Sequence, residues 1–185
     1  MSRRVCPWWV GYFLISPLRR FRQNPHSILK PYVREGQTVL EPGPGMGFFT
    51  LELARQVGNT GQVVAVDVQS KMLAHLKRRA ERAGLLERID ARLVSKDSMG
   101  ITDLVGRVDF TLAFAVVHEF PNALHFFREV AAVSKTGAEF LLAEPKGHVK
   151  ESDFASELDR AAESGFRLTE RPNITGSHAA VLKRI

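Results

Sequence analysis

The chain has 185 residues, 44% of them hydrophobic and 25% charged, with a formal net charge of +6. That length and balance fit one globular domain with an ordinary core, and no apolar run reaches the length of a membrane span. The single cysteine, Cys6, excludes an internal disulfide and any multi-cysteine metal or metalloid site.

The positive balance permits contact with nucleic acid or an anionic membrane without demanding it. Basic residues cluster only at Arg3-Arg4, at Arg19, Arg20 and Arg22, and at Lys77-Arg78-Arg79. The last cluster falls on a predicted helix beside Glu81 and reads as a solvated face. Residues 8–15 are apolar but too short for a secretory leader and lack a small-residue cleavage site. The expectation is therefore a cytoplasmic protein.

Residues 1–34 precede the first predicted strand. They hold Trp8, Trp9, Tyr12, Phe13 and Phe21, with prolines at positions 7, 17, 25 and 31. The segment is too aromatic for a disordered tail. Short helices broken near Pro25 and Pro31 are predicted in its second half. It reads either as a packing segment or as a lid whose Trp8, Trp9, Tyr12 and Phe13 enclose an apolar substrate. Residues 35–185 read as the main domain.

Residues 38–40 are β-branched and apolar and predict a buried strand ending at Glu41. Then follow Gly43, Pro44, Gly45 and Gly47, and an amphipathic helix over 48–57. Alternate glycines let the chain turn sharply and let a ligand approach the backbone, and the helix start adds unpaired N–H groups. The spacing is acid-x-G-x-G-x-G, not the G-x-G-x-x-G of a dinucleotide-binding turn. A second strand over 61–67 ends at Asp67, where a carboxylate can accept from two ribose hydroxyls or cap the next helix. Ser70 offers another cap for that helix, predicted over 71–83 and stopped by Gly84.

A third strand is predicted over 88–94, followed by a polar loop carrying Asp97 and Ser98. Strand four starts at Val108 and runs toward His118-Glu119-Phe120-Pro121. His118 reads as a general base, a substrate donor or a cap. A helix over 123–133 shows Leu124, Phe127, Val130 and Ala131 at helical spacing, with Gly137 as its stop. Strand five covers 139–144. Ligands in open α/β sheets bind beyond the carboxyl ends of strands, which makes Glu144, Lys146 and His148 pocket candidates. The separations among His118, Glu119, Glu144 and His148 show no helical ligand spacing, so no metal is expected. A helix over 151–164 precedes strands 166–170 and 178–183, whose short connector requires antiparallel pairing.

The run Glu41-x-Gly43-x-Gly45-x-Gly47, with Asp67 and the closing hairpin, resembles class I S-adenosylmethionine-dependent methyltransferases. The resemblance covers about residues 35–185. It implies an α/β fold with a Rossmann-like seven-stranded, mostly parallel sheet, helices on both faces and the last strand antiparallel. It implies S-adenosyl-L-methionine as cofactor, held by Glu41, Gly43, Pro44, Gly45, Gly47, Asp67, Val68, Asp97, Ser98, Ala113, Phe114 and Val117. His118, Glu144 and His148 would line the acceptor side. The look is that of the small-molecule branch, which includes quinone-biosynthesis and arsenite enzymes, although arsenite chemistry needs several cysteines. A small-molecule acceptor is expected. Open alternatives are a nucleic-acid or protein methyltransferase and a non-catalytic cofactor-binding module. The Asn/Asp-Pro-Pro-aromatic run of DNA amino methylation is absent, with His118-Glu119-Phe120-Pro121 in its place.

Overall fold

The computed structural model describes residues 22–185. Trp8, Trp9, Tyr12 and Phe13 lie outside the described residues. The seven-stranded sheet has the order β3-β2-β1-β4-β5-β7-β6. The chain divides into two compact units at Val94 and Ser95.

The first unit begins with α1, Pro25–Leu29. Pro25 opens this helix rather than breaking one, because its missing N–H falls where no intrahelical partner exists. Asn24 caps it by accepting from His26 N–H at 3.0 Å. Then follow β1 (Thr38–Pro42), α2 (Thr50–Gln56), β2 (Gln62–Asp67), α3 (Ser70–Arg82) and β3 (Ile89–Leu93). β1 pairs parallel with β2, and β2 with β3. Val39, Leu40, Val63 and Val64 are fully buried, as the apolar runs predict for a sheet covered on both faces. α2 is shorter than expected and starts two residues late, because residues 44–49 are spent on the turn.

The second unit holds β4 (Val108–Phe114), α4 (Ala123–Val133), β5 (Ser134–Pro145), α5 (Glu151–Glu163), β6 (Phe166–Glu170) and β7 (Ser177–Arg184). β4 pairs parallel with β5, and β7 runs antiparallel to both β5 and β6. Phe126, Phe127, Phe140 and Phe166 form a linked aromatic core, with neighbouring centroids 5.3–6.3 Å apart.

Gly137 does not stop α4. The helix passes directly into β5 at Ser134, which turns to φ −74°, ψ 137° and bonds its hydroxyl back to the Val130 carbonyl at 2.7 Å. Gly137 instead sits inside β5 at φ 84°, near a register shift against Val108 and Phe110. A glycine with positive φ suits such a bulge.

Candidate functional site

In the first unit the chain leaves β1 through residues 43–47. Gly43 N–H still bonds to the Val66 carbonyl at 2.9 Å, which prolongs the pairing to β2. Gly47 N–H then bonds to the Pro44 carbonyl at 2.9 Å and closes the turn. Gly43, Gly45 and Gly47 take φ of 67°, 54° and 82°, values that cost any residue with a Cβ. A Cβ on Gly47 would lie 2.4 Å from Leu76 Cδ1, so α3 packs against that glycine. A Cβ on Gly45 would meet nothing within 4 Å and would project into open space. The Arg79 guanidinium donates to the Met46 carbonyl and ties α3 to the turn. Arg79 is thus a structural tether, not part of a solvated face; Lys77 and Arg78 are exposed.

Glu41 is the acid before this turn and is 3% exposed. Burial, with the charge of Asp67 adding to it, pushes its carboxyl from the usual 4.5 to about 8. The Thr50 hydroxyl acts in the lowering direction and is outweighed. Neither Glu41 Oε2 nor Thr50 Oγ1 reaches hydrogen-bond geometry with any partner. Asp67 ends β2 with Oδ1 accepting from Gln69 N–H at 2.8 Å, a turn bond that leads into α3. The cap position of α3 is Gln69, whose side chain makes no capping bond, so Ser70 does not cap it. Val68, between them, is half-buried. The structure therefore gathers Glu41, Gly43, Pro44, Gly45, Gly47, Asp67 and Val68 at the carboxyl ends of β1 and β2.

In the second unit Asp97 and Ser98 are exposed on the loop before β4. Ser95 Oγ accepts from Asp97 N–H at 3.3 Å and from Ser98 N–H at 3.2 Å. Glu129 of α4 fixes the far side of that loop. Its Oε1 takes the Ser98 hydroxyl at 2.7 Å and Met99 N–H at 3.1 Å. Nothing in the sequence marked Glu129, since one acid among the polar residues of a helix carries no sign of its partner.

β4 ends with buried Ala113 and half-buried Phe114. Ala115 then takes φ 58°, the sole positive φ of a non-glycine residue among those described. Past it, a 3-10 turn over Val117–Glu119 carries buried Val117 and His118. Val116 N–H and Val117 N–H donate to Glu144 Oε1 at 3.2 and 2.7 Å. His118 Nδ1 bonds to Glu144 Oε2. The Glu144 side chain is fully buried and that of His118 is 25% exposed. His148 is exposed, with its ring parallel to that of His118 at 6.3 Å between centroids. Burial acts to lower the pKa of His118, but the Glu144 bond and charge, with Glu119 and Glu157, raise it above the ordinary value.

Residues 39–137 match the family described as methyltransferase domain. The chain belongs to that family, in the class I S-adenosylmethionine-dependent group, and S-adenosylmethionine is the methyl donor of that group. A crystal structure of a SAM-dependent methyltransferase from Aquifex aeolicus superimposes with a TM-score of 0.84 at 23% identity, covering 97% of this chain and 98% of that one. The tRNA adenine-N(1)-methyltransferase TrmI of Methanocaldococcus jannaschii is 29% identical over 112 residues, 50% of this chain and 40% of that protein. The ubiquinone/menaquinone biosynthesis C-methyltransferase UbiE of Escherichia fergusonii is 30% identical over 114 residues, 60% of this chain and 44% of that protein. The matches thus span less than half the length of these two curated relatives. No helix among the described residues is long and apolar enough to cross a membrane.

Proposed function

We propose that this chain transfers a methyl group from S-adenosylmethionine to a small-molecule acceptor. The carrying observation is the turn after β1. It combines open space over Gly45 with a buried Glu41 oxygen that lacks a partner. A bound amino acid end brings an ammonium group, which would satisfy that oxygen directly or through a water. S-adenosylmethionine would supply an activated methyl on its sulfonium, whose sulfur leaves as a neutral thioether. Glu41, Gly43, Pro44, Gly45 and Gly47 would hold its methionine end, and Asp67 its ribose hydroxyls. The chain then has to orient the acceptor, exclude water and take up a proton where the acceptor requires it.

Charge supports the small-molecule reading. Residues 95–185, which include the strand-four ending that the resemblance assigns to the acceptor, carry 11 Lys and Arg against 13 Asp and Glu. That half offers no surplus of cations for a phosphate backbone. Residues 1–94 carry 15 against 7, which keeps a nucleic-acid acceptor as the second reading. Titration calorimetry with S-adenosylmethionine and its demethylated product tests the first step, with saturable one-to-one binding expected. Absence of heat with both compounds overturns the reading. A steep fall of RNA or DNA affinity with salt would move the acceptor to the second reading.

A further inference from the structure

The first unit spends several of its arginines on its own chain. Arg34 donates to the carbonyls of Lys30, Pro31 and Val33. Arg88 donates to the Ala54 carbonyl and to Asn59, while Arg55 and Arg92 pair with Glu52 and Asp90. α3 differs. Its 13 residues hold Lys71, Lys77, Arg78, Arg79 and Arg82 against one acid, Glu81. Arg79 is the tether to Met46. The side chains of Lys77, Arg78 and Arg82 make no hydrogen bond or ion pair with the described residues.

Helical geometry sets these cations in line. At about 100° per residue, Lys71, Arg78 and Arg82 fall within about 40° of arc, opposite the buried Met72, Leu73, Leu76 and Ala80. All three are exposed, as is Lys77 on one flank. At 1.5 Å per residue the row is about 16 Å long. Arg82 suits the last turn of a helix, but the rest of the row does not serve it. Arg78 and Arg82 are like charges four residues apart, which repel. Lys71 stands in a first turn without an acid, at the positive end of the helix dipole. A row of cations kept against these costs complements a surface of negative charge outside the chain.

We propose that the outer face of α3 docks this chain on an anionic lipid bilayer. This goes beyond the methyl-transfer reading and holds whatever the acceptor is. The apolar side of α3 is spent in the core, so the contact is one of charge at the headgroups, without insertion. Two observations favour a bilayer over a nucleic acid. Apart from its charges, the exposed face of α3 offers only Ser70 and Ala74, with no aromatic ring to stack on a base and no amide to read its edge. The sequence ahead of the described residues sets Trp8, Trp9 and Tyr12 between Arg3-Arg4 and Arg19-Arg20, a composition suited to a membrane–water interface. Each Lys or Arg near an anionic leaflet strengthens binding about five-fold, and the attraction fades within a Debye length.

Flotation of the full chain with vesicles tests this without cofactor or turnover. The chain should bind vesicles of equal parts phosphatidylcholine and phosphatidylglycerol, and not vesicles of phosphatidylcholine alone. Binding should be lost as salt rises from about 0.1 M to 1 M, where the screening length falls from about 10 to 3 Å. Lys77→Gln/Arg78→Gln/Arg82→Gln should weaken it about 100-fold. Arg78→Lys/Arg82→Lys keeps the charge and should bind as the wild type does. Arg128→Gln/Arg160→Gln/Arg167→Gln removes as many exposed arginines from the second unit and should stay within about three-fold of wild type. In the wild type, lipids with a spin-labelled headgroup should broaden the NMR signals of Arg78 and Arg82 more than those of α5. That readout stands even if the triple α3 variant fails to fold. No binding to the anionic vesicles, undiminished binding by the α3 variant, equal loss in the second-unit variant, or broadening that spares α3 overturns the proposal. So does tighter binding to an RNA hairpin or a DNA duplex at equal phosphate concentration, which would give the row to a nucleic acid.

Discussion

Glu41 is the last residue but one of β1 in one unit and Glu144 the last but one of β5 in the other, and both carboxyls are almost sealed from water. Their partners differ. Glu144 has two backbone amides and an imidazole, while Glu41 leaves one oxygen unbonded and is pushed up to about 8. A buried acid with both oxygens bonded is a fixed part, which holds another group in place. A buried acid with an empty acceptor is costly in the free protein and gains from a cationic ligand. The two residues share type, depth and position on a strand, so the difference lies in the donors that each neighbourhood supplies.

Removing Glu144 altogether should have the largest effect on stability. Glu144→Ala would leave two buried amides unpaired and is expected to cost about 3–5 kcal/mol in denaturant unfolding. A cost below about 1 kcal/mol would mean that the donors find water and that Glu144 is not a fixed part. Next come the glycines of the turn after Glu41. Gly47→Ala meets Leu76 at 2.4 Å on top of its φ of 82°, and should lose about 2–3 kcal/mol with cofactor affinity. Gly45→Ala has no clash and should cost only about 1 kcal/mol while lowering affinity at least as much. Equal loss of affinity with unequal loss of stability would place the ligand over Gly45; unchanged affinity in Gly45→Ala would remove it from there.

Glu41→Gln probes the unbonded acid. The folded pKa of Glu41 lies above its unfolded value, so its protonated form contributes fully below about 4.5, and that contribution is lost as pH climbs toward 8. The wild type should therefore shed roughly 1–3 kcal/mol between pH 5 and 8, and Glu41→Gln should not. Cofactor binding at pH 7 should release a proton from Glu41, visible as an enthalpy that varies with the buffer's ionisation heat. A buffer-independent enthalpy would show that Glu41 stays protonated beside the ligand. Smaller effects are expected at two supporting residues. Glu129→Gln should loosen the loop of Asp97 and Ser98 and speed amide hydrogen exchange at Met99, with thermal stability nearly unchanged. Ala115→Gly should be neutral or stabilising by up to about 1 kcal/mol, because it relieves the φ of 58°.

The turn at residues 43–47 was legible because positive φ demands glycine, and a demand of that kind is written in one residue. The strand and helix order was legible because apolar runs and helical periodicity are local patterns, and α4 runs over the residues that its pattern predicts. Gly137 was misread for the same reason. A glycine near the end of a helical pattern looks like a stop, and only strand pairing reveals it as a bulge inside β5. Glu144 and His118 were each singled out for the acceptor side, yet their bond was invisible across 26 residues. Register decides it, since Phe114 pairs with Ala143 and thereby sets the turn after β4 beside Glu144.

By itself the sequence determined the kind of each element, the glycine turn with its acid, and the acid at the end of β2. These follow from backbone sterics and from the period of apolar residues, which act over a few positions. Tertiary structure alone decided which buried carboxylate has both oxygens bonded and which does not, and which histidine Glu144 meets. Those outcomes depend on donors contributed by distant strands and helices, and such donors meet a carboxylate only after the sheet has set its register.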